Sequence, residues 1–341
     1  MPRLVTLALL SLFALALPAP AADKGKGKEV DPARKKAAEK RFAKLKDYLT
    51  ERRVTHVVEL LAEWGEFADA TQQDDVLGWV ADLREKEEGL AAALGRTAFK
   101  IGYRGVKATA EVGEKEVPSA YFVEEFCSGK PPKKRLTSDP LARQLVVASK
   151  TLVPWTNTSA EKCVILTNAA VAEFHGLDDC LVISSGSVSV TTGISMSAVV
   201  CRGNAEYTFH PNPYMGHVWA GGAVTDATPV AWDRKRPEDV GAVEKDDKLQ
   251  GMKFYSAAED GLEATAEKGV VTVSKVDEKK AFGQAGLQKG DVIETINGEK
   301  VPSLHELDRL ACRATVASGV AKVKVKRGDK SEVIEVKLAD W

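Results

Sequence analysis

Apolar residues recur along this chain in three rhythms, and each predicts a different kind of structure. Phe42, Leu45, Tyr48 and Leu49 stand three or four positions apart, as do Val54, Val57, Val58 and Leu61, and later Val76, Trp79, Val80 and Leu83. That spacing places each set on one face of a helix. Asp31-Pro32 supplies an N-cap and a first helical position, while Gly65 and the polar Thr71-Gln72-Gln73 separate the second and third sets. The expectation is two or three helices, packed as a hairpin or small bundle, over residues 31–100. His56 stands alone on one of them and reads as a surface or packing residue.

The second rhythm is a repeat. Leu145–Val153, Cys163–Val171, Cys180–Val188 and Ala198–Gly203 each open with three or four apolar residues, and a weaker copy runs from His217 to Val224. Successive copies begin 17–19 residues apart, with Ser, Thr, Asn and Gly at the corners. A single such coil cannot bury its apolar side, so coils stack, which predicts a parallel β-solenoid. An antiparallel β-sandwich is the alternative for the same strands. Stacked positions in a solenoid lie about 4.8 Å apart. Cys163 then sits over Cys180, within reach of a disulfide. Residues 101–135, with the alternating stretch Gly105–Val112, are assigned to the edge of this β-rich span, residues 101–228. Residues 229–250, with Pro229, Pro237 and many charges, read as a linker.

The third rhythm is that of short strands with glycine turns. It runs through Gly269–Val276, Ala281-Phe282-Gly283-Gln284-Ala285-Gly286-Leu287, Lys289-Gly290-Asp291-Val292-Ile293 and Ile296-Asn297-Gly298. Asn297-Gly298 is a hairpin turn signal, and Gly328-Asp329 repeats it. Val270, Val271, Val273, Val292, Ile293 and Ile296 are the expected β core. A helix from Ser303 to Ala314 and strands at Ala321–Lys326 and Glu332–Leu338 follow. The run AGLxxGDVIxxING resembles a PDZ domain of the bacterial, circularly permuted type, over residues 251–341.

The resemblance implies a groove in which a peptide adds as an extra strand to a sheet edge. Its loop and strand would be Gly261, Leu262, Glu263 and Ala264, and its helix wall Leu304, Leu307, Leu310 and Ala311. The chain departs from the family pattern in two places. Lys280-Ala281-Phe282-Gly283 stands where bacterial members carry Ser-Pro-Ala. Glu263 stands where many have Gly, a carboxylate beside the place of a ligand carboxylate.

Ahead of all this, Arg3, the apolar run Leu4–Leu17 and Ala19-Pro20-Ala21 have the form of a secretory signal peptide, residues 1–21. Cleavage would leave no membrane-spanning segment, and the Lys/Gly-rich residues 22–30 read as a disordered lead-in. The expected address is the periplasm, cell envelope or exterior. The 341 residues carry 48 Lys+Arg and 49 Asp+Glu, a balance that argues against nucleic-acid binding. The balance is zoned: residues 23–100 hold 16 basic and 16 acidic residues, whereas residues 136–225 hold only 10 charged ones.

Five cysteines show no zinc spacing, and no metal or cofactor is expected. Val164–Val171 resembles the strand bearing the catalytic His of the high-temperature-requirement serine proteases. Ala170 replaces that His, however, and no nucleophile segment follows. The chain therefore reads as a multidomain α+β protein, exported and non-enzymatic, that binds or scaffolds a peptide or protein segment. Two other readings are a PDZ-regulated hydrolase acting through Ser187, Ser195 or Cys201, and a structural envelope protein.

Overall fold

The computed structural model describes residues 32–94, 109–112, 115–118, 141–142, 145–149, 159–168, 171–207, 216–226 and 243–338. The expected signal peptide and lead-in lie outside these residues.

The amino-terminal part is helical as its stripes predict, but in shorter pieces: α1 (Pro32–Phe42), α2 (Leu45–Thr50), α3 (Val54–Trp64), α4 (Ala70–Glu85) and α5 (Glu88–Ala93). Thr71-Gln72-Gln73, expected to separate helices, forms the first turn of α4 instead. Asp69 explains why: its Oδ1 accepts from the Gln72 N–H at 2.8 Å, and the Gln72 side chain accepts from the Asp69 N–H at 3.0 Å. That capping box starts the helix at Ala70, three residues after Phe67.

The middle part carries a hairpin, β1 (Thr109–Val112) with β2 (Lys115–Pro118), and then two parallel sheets. The chain alternates between the sheets through β3 (Leu141–Ala142), β4 (Leu145–Ala148), β5 (Ser159–Glu161), β6 (Val164–Thr167), β7 (Val171–Asp178), β8 (Leu181–Ser184), β9 (Val188–Ser195), β10 (Ala198–Cys201), β11 (Ala205–Tyr207), β12 (His217–Ala220), β13 (Val224–Asp226) and β14 (Val243–Lys245). One sheet runs β4-β6-β8-β10-β12-β14 and the other β3-β5-β7-β9-β11-β13. In the first sheet, Leu145, Val164, Leu181, Ala198 and His217 stack with offsets of 19, 17, 17 and 19 residues. This is a solenoid, and the parallel registers rule out the antiparallel sandwich. Residues 243–245 belong to it as β14, although the sequence places them in a linker.

Cys163 and Cys180 do stack, but as thiols rather than a disulfide. The Cys163 N–H donates to Sγ of Cys180 at 3.4 Å, and Sγ of Cys180 lies 3.2 Å from the carbonyls of Ala160 and Asp178. Burial pushes the Cys180 thiol well above its ordinary pKa.

The first sheet is covered on both faces, which explains its unbroken apolar runs. Ile165, Val182, Val199 and Val218 point into the solenoid, whereas Val164, Leu166, Leu181, Ile183, Val200 and Trp219 join a second core shared with the helices and the carboxy-terminal part. Lone charges on either face would be buried, hence the depletion across residues 136–225.

The carboxy-terminal part has one antiparallel sheet in the order β15 (Leu262–Glu267), β16 (Val270–Val276), β17 (Val292–Ile296), β19 (Val320–Arg327) and β20 (Lys330–Lys337), with β18 (Glu299–Lys300) folded back on β17. Helices α6 (Ala281–Gln284) and α7 (Leu304–Ala317) complete it. The expected turns are present: Asn297 and Gly298 have φ 50° and 84°, and Gly328 has φ 59°. The expected core holds for Val271, Val273, Ile293 and Ile296. Val270 is instead 47% exposed, because strand alternation turns it away from its neighbour Val271.

Helix α3 joins the three parts. It packs against α7, β4 and β6, and Val54, Val57, Val58, Leu60 and Leu61 are all fully buried. Its start is pinned by a bridge in which the Val54 N–H donates to the Lys253 carbonyl (3.0 Å) and the Lys253 N–H to that of Arg52 (2.9 Å). Ile183 lies under this shared core. Replacing Ile183 with Ala is expected to cost about 2–5 kcal/mol of stability, measured by denaturant unfolding of the whole chain.

Candidate functional site

The groove residues named from the sequence do come together on β15, α7 and the turn ahead of β15. That turn, Ala257–Asp260, is capped by Ser256, whose N–H donates to the Glu259 side chain at 3.2 Å, and it ends at Gly261 with φ +88°. Only glycine fits there. A Cβ on Gly261 would stand 2.6 Å from the Lys280 Cβ, and the left-handed backbone disfavours any side chain. From Leu262 onward the chain is strand. β15 pairs with β16 alone, so among the described residues its outer edge has no partner strand. Residues 243–251 are held in β14 and the following turn, away from this edge.

The floor and wall are apolar. Leu262 is buried and Ala264 packs against the same core. Helix α7 starts at Ser303, whose Oγ accepts from the Glu306 N–H at 3.2 Å. Leu307, Leu310 and Ala311 are buried on its sheet-facing side, whereas Leu304, at the first turn, is 40% exposed.

Glu263 does not point a lone charge into the loop. It faces Lys275 across the strand pair, and Lys275 Nζ reaches its Oε1 at 2.8 Å, which raises the lysine pKa. On the other side Lys280 Nζ donates to the Glu259 carbonyl at 3.0 Å. The two departures from the family pattern thus bring two lysines to the loop, one paired with Glu263 and one against the turn.

The opposite side of α7 is held by the other parts of the chain, which no sequence pattern foretells. On the helical wheel His305, Asp308, Arg309, Cys312 and Arg313 lie away from Leu307, Ala311 and Ala314. Asp308 accepts from the Ala257 N–H at 2.8 Å and from Arg202 of the solenoid at 2.8 Å. Arg202 also donates to the Tyr255 carbonyl at 2.7 Å. Burial raises the Asp308 pKa, and Arg202 and the Ala257 N–H pull it back. His305 Nε2 lies 3.2 Å from Ser185 Oγ, and burial lowers the histidine pKa. Arg313 reaches Glu63 of α3 at 3.3 Å and Glu299 of β18 at 2.8 Å.

The nucleophile candidates are placed as follows. Burial pushes the Cys201 thiol up to about 12, leaving negligible thiolate at neutral pH. Ser195 donates to Asp178 at 3.1 Å, and Ser187 accepts from the Asn204 N–H at 3.1 Å. Ser185 and His305 make a serine–histidine pair, but the Glu306 carboxylate nearest His305 Nδ1 is 4.0 Å away and is engaged by Arg309 at 2.8 Å. Among the described residues no cluster of His, Cys, Asp or Glu is arranged to hold a metal.

Replacing Arg202 with Ala leaves Asp308 buried with half its partners. The expected loss is about 1–3 kcal/mol of stability, and a double-mutant cycle with Asp308→Asn, followed by denaturant unfolding, should give a coupling of about 1 kcal/mol or more.

Comparison with known proteins bears on the same segment. The family model for PDZ domains matches residues 260–338. No curated protein sequence matches the chain. Among solved structures, the chain is similar to the HtrA3 PDZ domain bound to a phage-derived ligand (FGRWV), at 18% identity and TM-score 0.20, covering 23% of this chain and 80% of that one. It is similar to a serine endoprotease from Yersinia pestis, at 23% identity and TM-score 0.19, covering 24% of this chain and only 27% of the enzyme. It is also similar to the PDZ domain of EpsC from Vibrio cholerae, at 16% identity and TM-score 0.19, covering 23% of this chain and 95% of that one.

Proposed function

Residues 260–338 are a PDZ domain, and from that premise we propose that the groove between β15 and α7 receives an extended peptide or protein segment as an added strand. The observation that carries this reading is the outer edge of β15, which among the described residues has no partner strand and lies beside the apolar wall of Leu307 and Ala311. Backbone groups on that edge supply hydrogen bonds of the sheet type, and the apolar wall supplies side-chain selection. Gly261 supplies the left-handed turn that leads into β15, and the charge of Glu263 is offset by Lys275.

In this reading the whole chain is an exported, non-enzymatic binding or scaffolding protein. Its signal-peptide pattern supports export, and the balanced overall charge supports a peptide rather than a nucleic acid as the partner. Among the described residues no helix is long and apolar enough to cross a membrane.

The test is selection from a displayed peptide library on the full chain lacking residues 1–21. Peptides binding at micromolar concentration are expected, with affinity reduced at least about tenfold by Leu262→Asp, which puts an unpaired charge in the groove floor. Amidating the terminal carboxylate of a selected peptide separates capture of a chain end from capture of an internal segment. Failure to select any binder, or equal affinity for wild type and Leu262→Asp, overturns the groove assignment.

A further inference from the structure

Helix α3 carries two titratable side chains that the groove does not use, His56 and Glu59, which are 2% and 1% exposed. They stand three residues apart, neighbours on one stretch of helix surface. Glu59 sits where all three parts of the chain meet. Its Oε1 accepts from Nδ2 of Asn168, at the end of β6, at 3.0 Å, and the same nitrogen donates to the Thr55 carbonyl at 2.8 Å. From α7, Arg309 and Arg313 face it, and Cys312 lies within its field; from β18, Glu299 does. α3 itself adds Glu63, paired with Arg313. Oε2 of Glu59, Oδ1 of Asn168 and Nη1 of Arg309 are all buried without a hydrogen-bond partner among the described residues. His56 is packed between the rings of Tyr48 (4.9 Å) and Tyr255 (5.6 Å), with Arg53 as the charge acting on it, and among the described residues neither of its ring nitrogens has a hydrogen-bond partner.

We propose that this junction is a proton-linked latch on α7, in which Glu59, and His56 packed on Tyr255 whose carbonyl shares Arg202 with Asp308 of α7, set in opposite directions how firmly the rest of the chain grips that helix. As regulation of peptide binding it rests on the groove reading, but the latch itself is a property of the α3–α7 contact. Glu59 is buried between α3 and the arginines of α7, so separating α7 from α3 would expose it to solvent and change the cost of its charge.

The signs follow from burial. Glu59 is raised from an ordinary 4.5 to about 7, chiefly by desolvation, with Arg309 and Asn168 working against it. Its contribution to closure is therefore full below pH 4.5 and is lost as the pH rises to about 7. His56 is lowered from 6.5 to about 3, chiefly by desolvation and further by Arg53. Its contribution is full above pH 6.5 and is lost as the pH falls toward 3. Between 4.5 and 6.5 the two slopes oppose and nearly cancel.

Amide hydrogen exchange over residues 304–317 of the full chain, corrected for intrinsic rates at pH 5.5 and 7.5, reads the opening of α7. Linkage predicts a wild-type change between these pH values that is smaller than that of either single variant. With His56→Gln the opening should increase about twentyfold toward pH 7.5, and with Glu59→Gln about tenfold toward pH 5.5. Glu59→Met, which keeps the volume without a titrating group, should behave as Glu59→Gln does. A Glu59→Gln profile equal to wild type, or slopes of the same sign in the two single variants, overturns the latch. Affinity for a selected peptide at the same two pH values is a separate readout: if no peptide binds, the groove reading fails while the exchange slopes still decide the latch.

Discussion

Burial of α3 on every side is the constraint from which most of the architecture follows. An amphipathic helix on a protein surface has one apolar stripe and one wet face. Helix α3 has no wet face over most of its length, because the solenoid sheet covers one side and α7 another. Each polar group on it must then find a partner inside the molecule. Thr55 meets this by accepting the Tyr255 N–H through its Oγ1 at 3.0 Å and the Asn168 amide through its carbonyl. Glu59 meets it in part, through Asn168. One core therefore runs through the helices, the outer face of a solenoid sheet and the PDZ sheet, beside a second core inside the solenoid.

The solenoid depends on the same contact. A two-sheet coil with one solvated face would show alternating apolar and polar residues. Val164–Thr167, Leu181–Ser184 and Ala198–Cys201 are instead buried at every position, half of them toward the solenoid interior and half toward the helices. Asp179, just ahead of β8, pairs with Arg84 of α4 at 2.7 Å. Arg202, one of the few charges in this zone, leaves a solenoid corner to reach Asp308 and the Tyr255 carbonyl.

Much of this was legible in the sequence, and the exceptions have one cause. Periods of 3.6 and about 18 residues, together with glycine turns, are local signals, and they gave the helices, the stacked coils and the PDZ strands. The helix beginning near Ser303 and the turn at Asn297-Gly298 were readable for the same reason. Contacts between parts leave no period. Arg202 and Asp308 are 106 residues apart, and Asn168 and Glu59 are 109 apart, so no spacing relates them. His56 looked like a lone polar residue on a helix because the tyrosines that enclose it come from α2 and from residue 255. Likewise β14 was hidden in a charged, proline-containing stretch, since its pairing with β12 follows a longer excursion than earlier coils make.

The two-sided burial of α7 changes what the groove is. In a free-standing module the helix wall would be held by its core face alone, by Leu307, Leu310, Ala311 and Ala314. Here Arg202 and Ser185 hold the first half of the helix at Asp308 and His305, and Glu63 holds the second half at Arg313. A rigid body gripped at two points on one face cannot rotate or tilt without breaking at least one grip. The separation between α7 and β15 is thus held by residues outside the PDZ domain, Ser185, Arg202 and Glu63. Cutting the chain ahead of residue 251 removes Ser185, Arg202, Glu63 and the cover over Cys312 at once. The strand edge would survive that cut, since β15 is held by β16, but the wall opposite it would be supported on one side only.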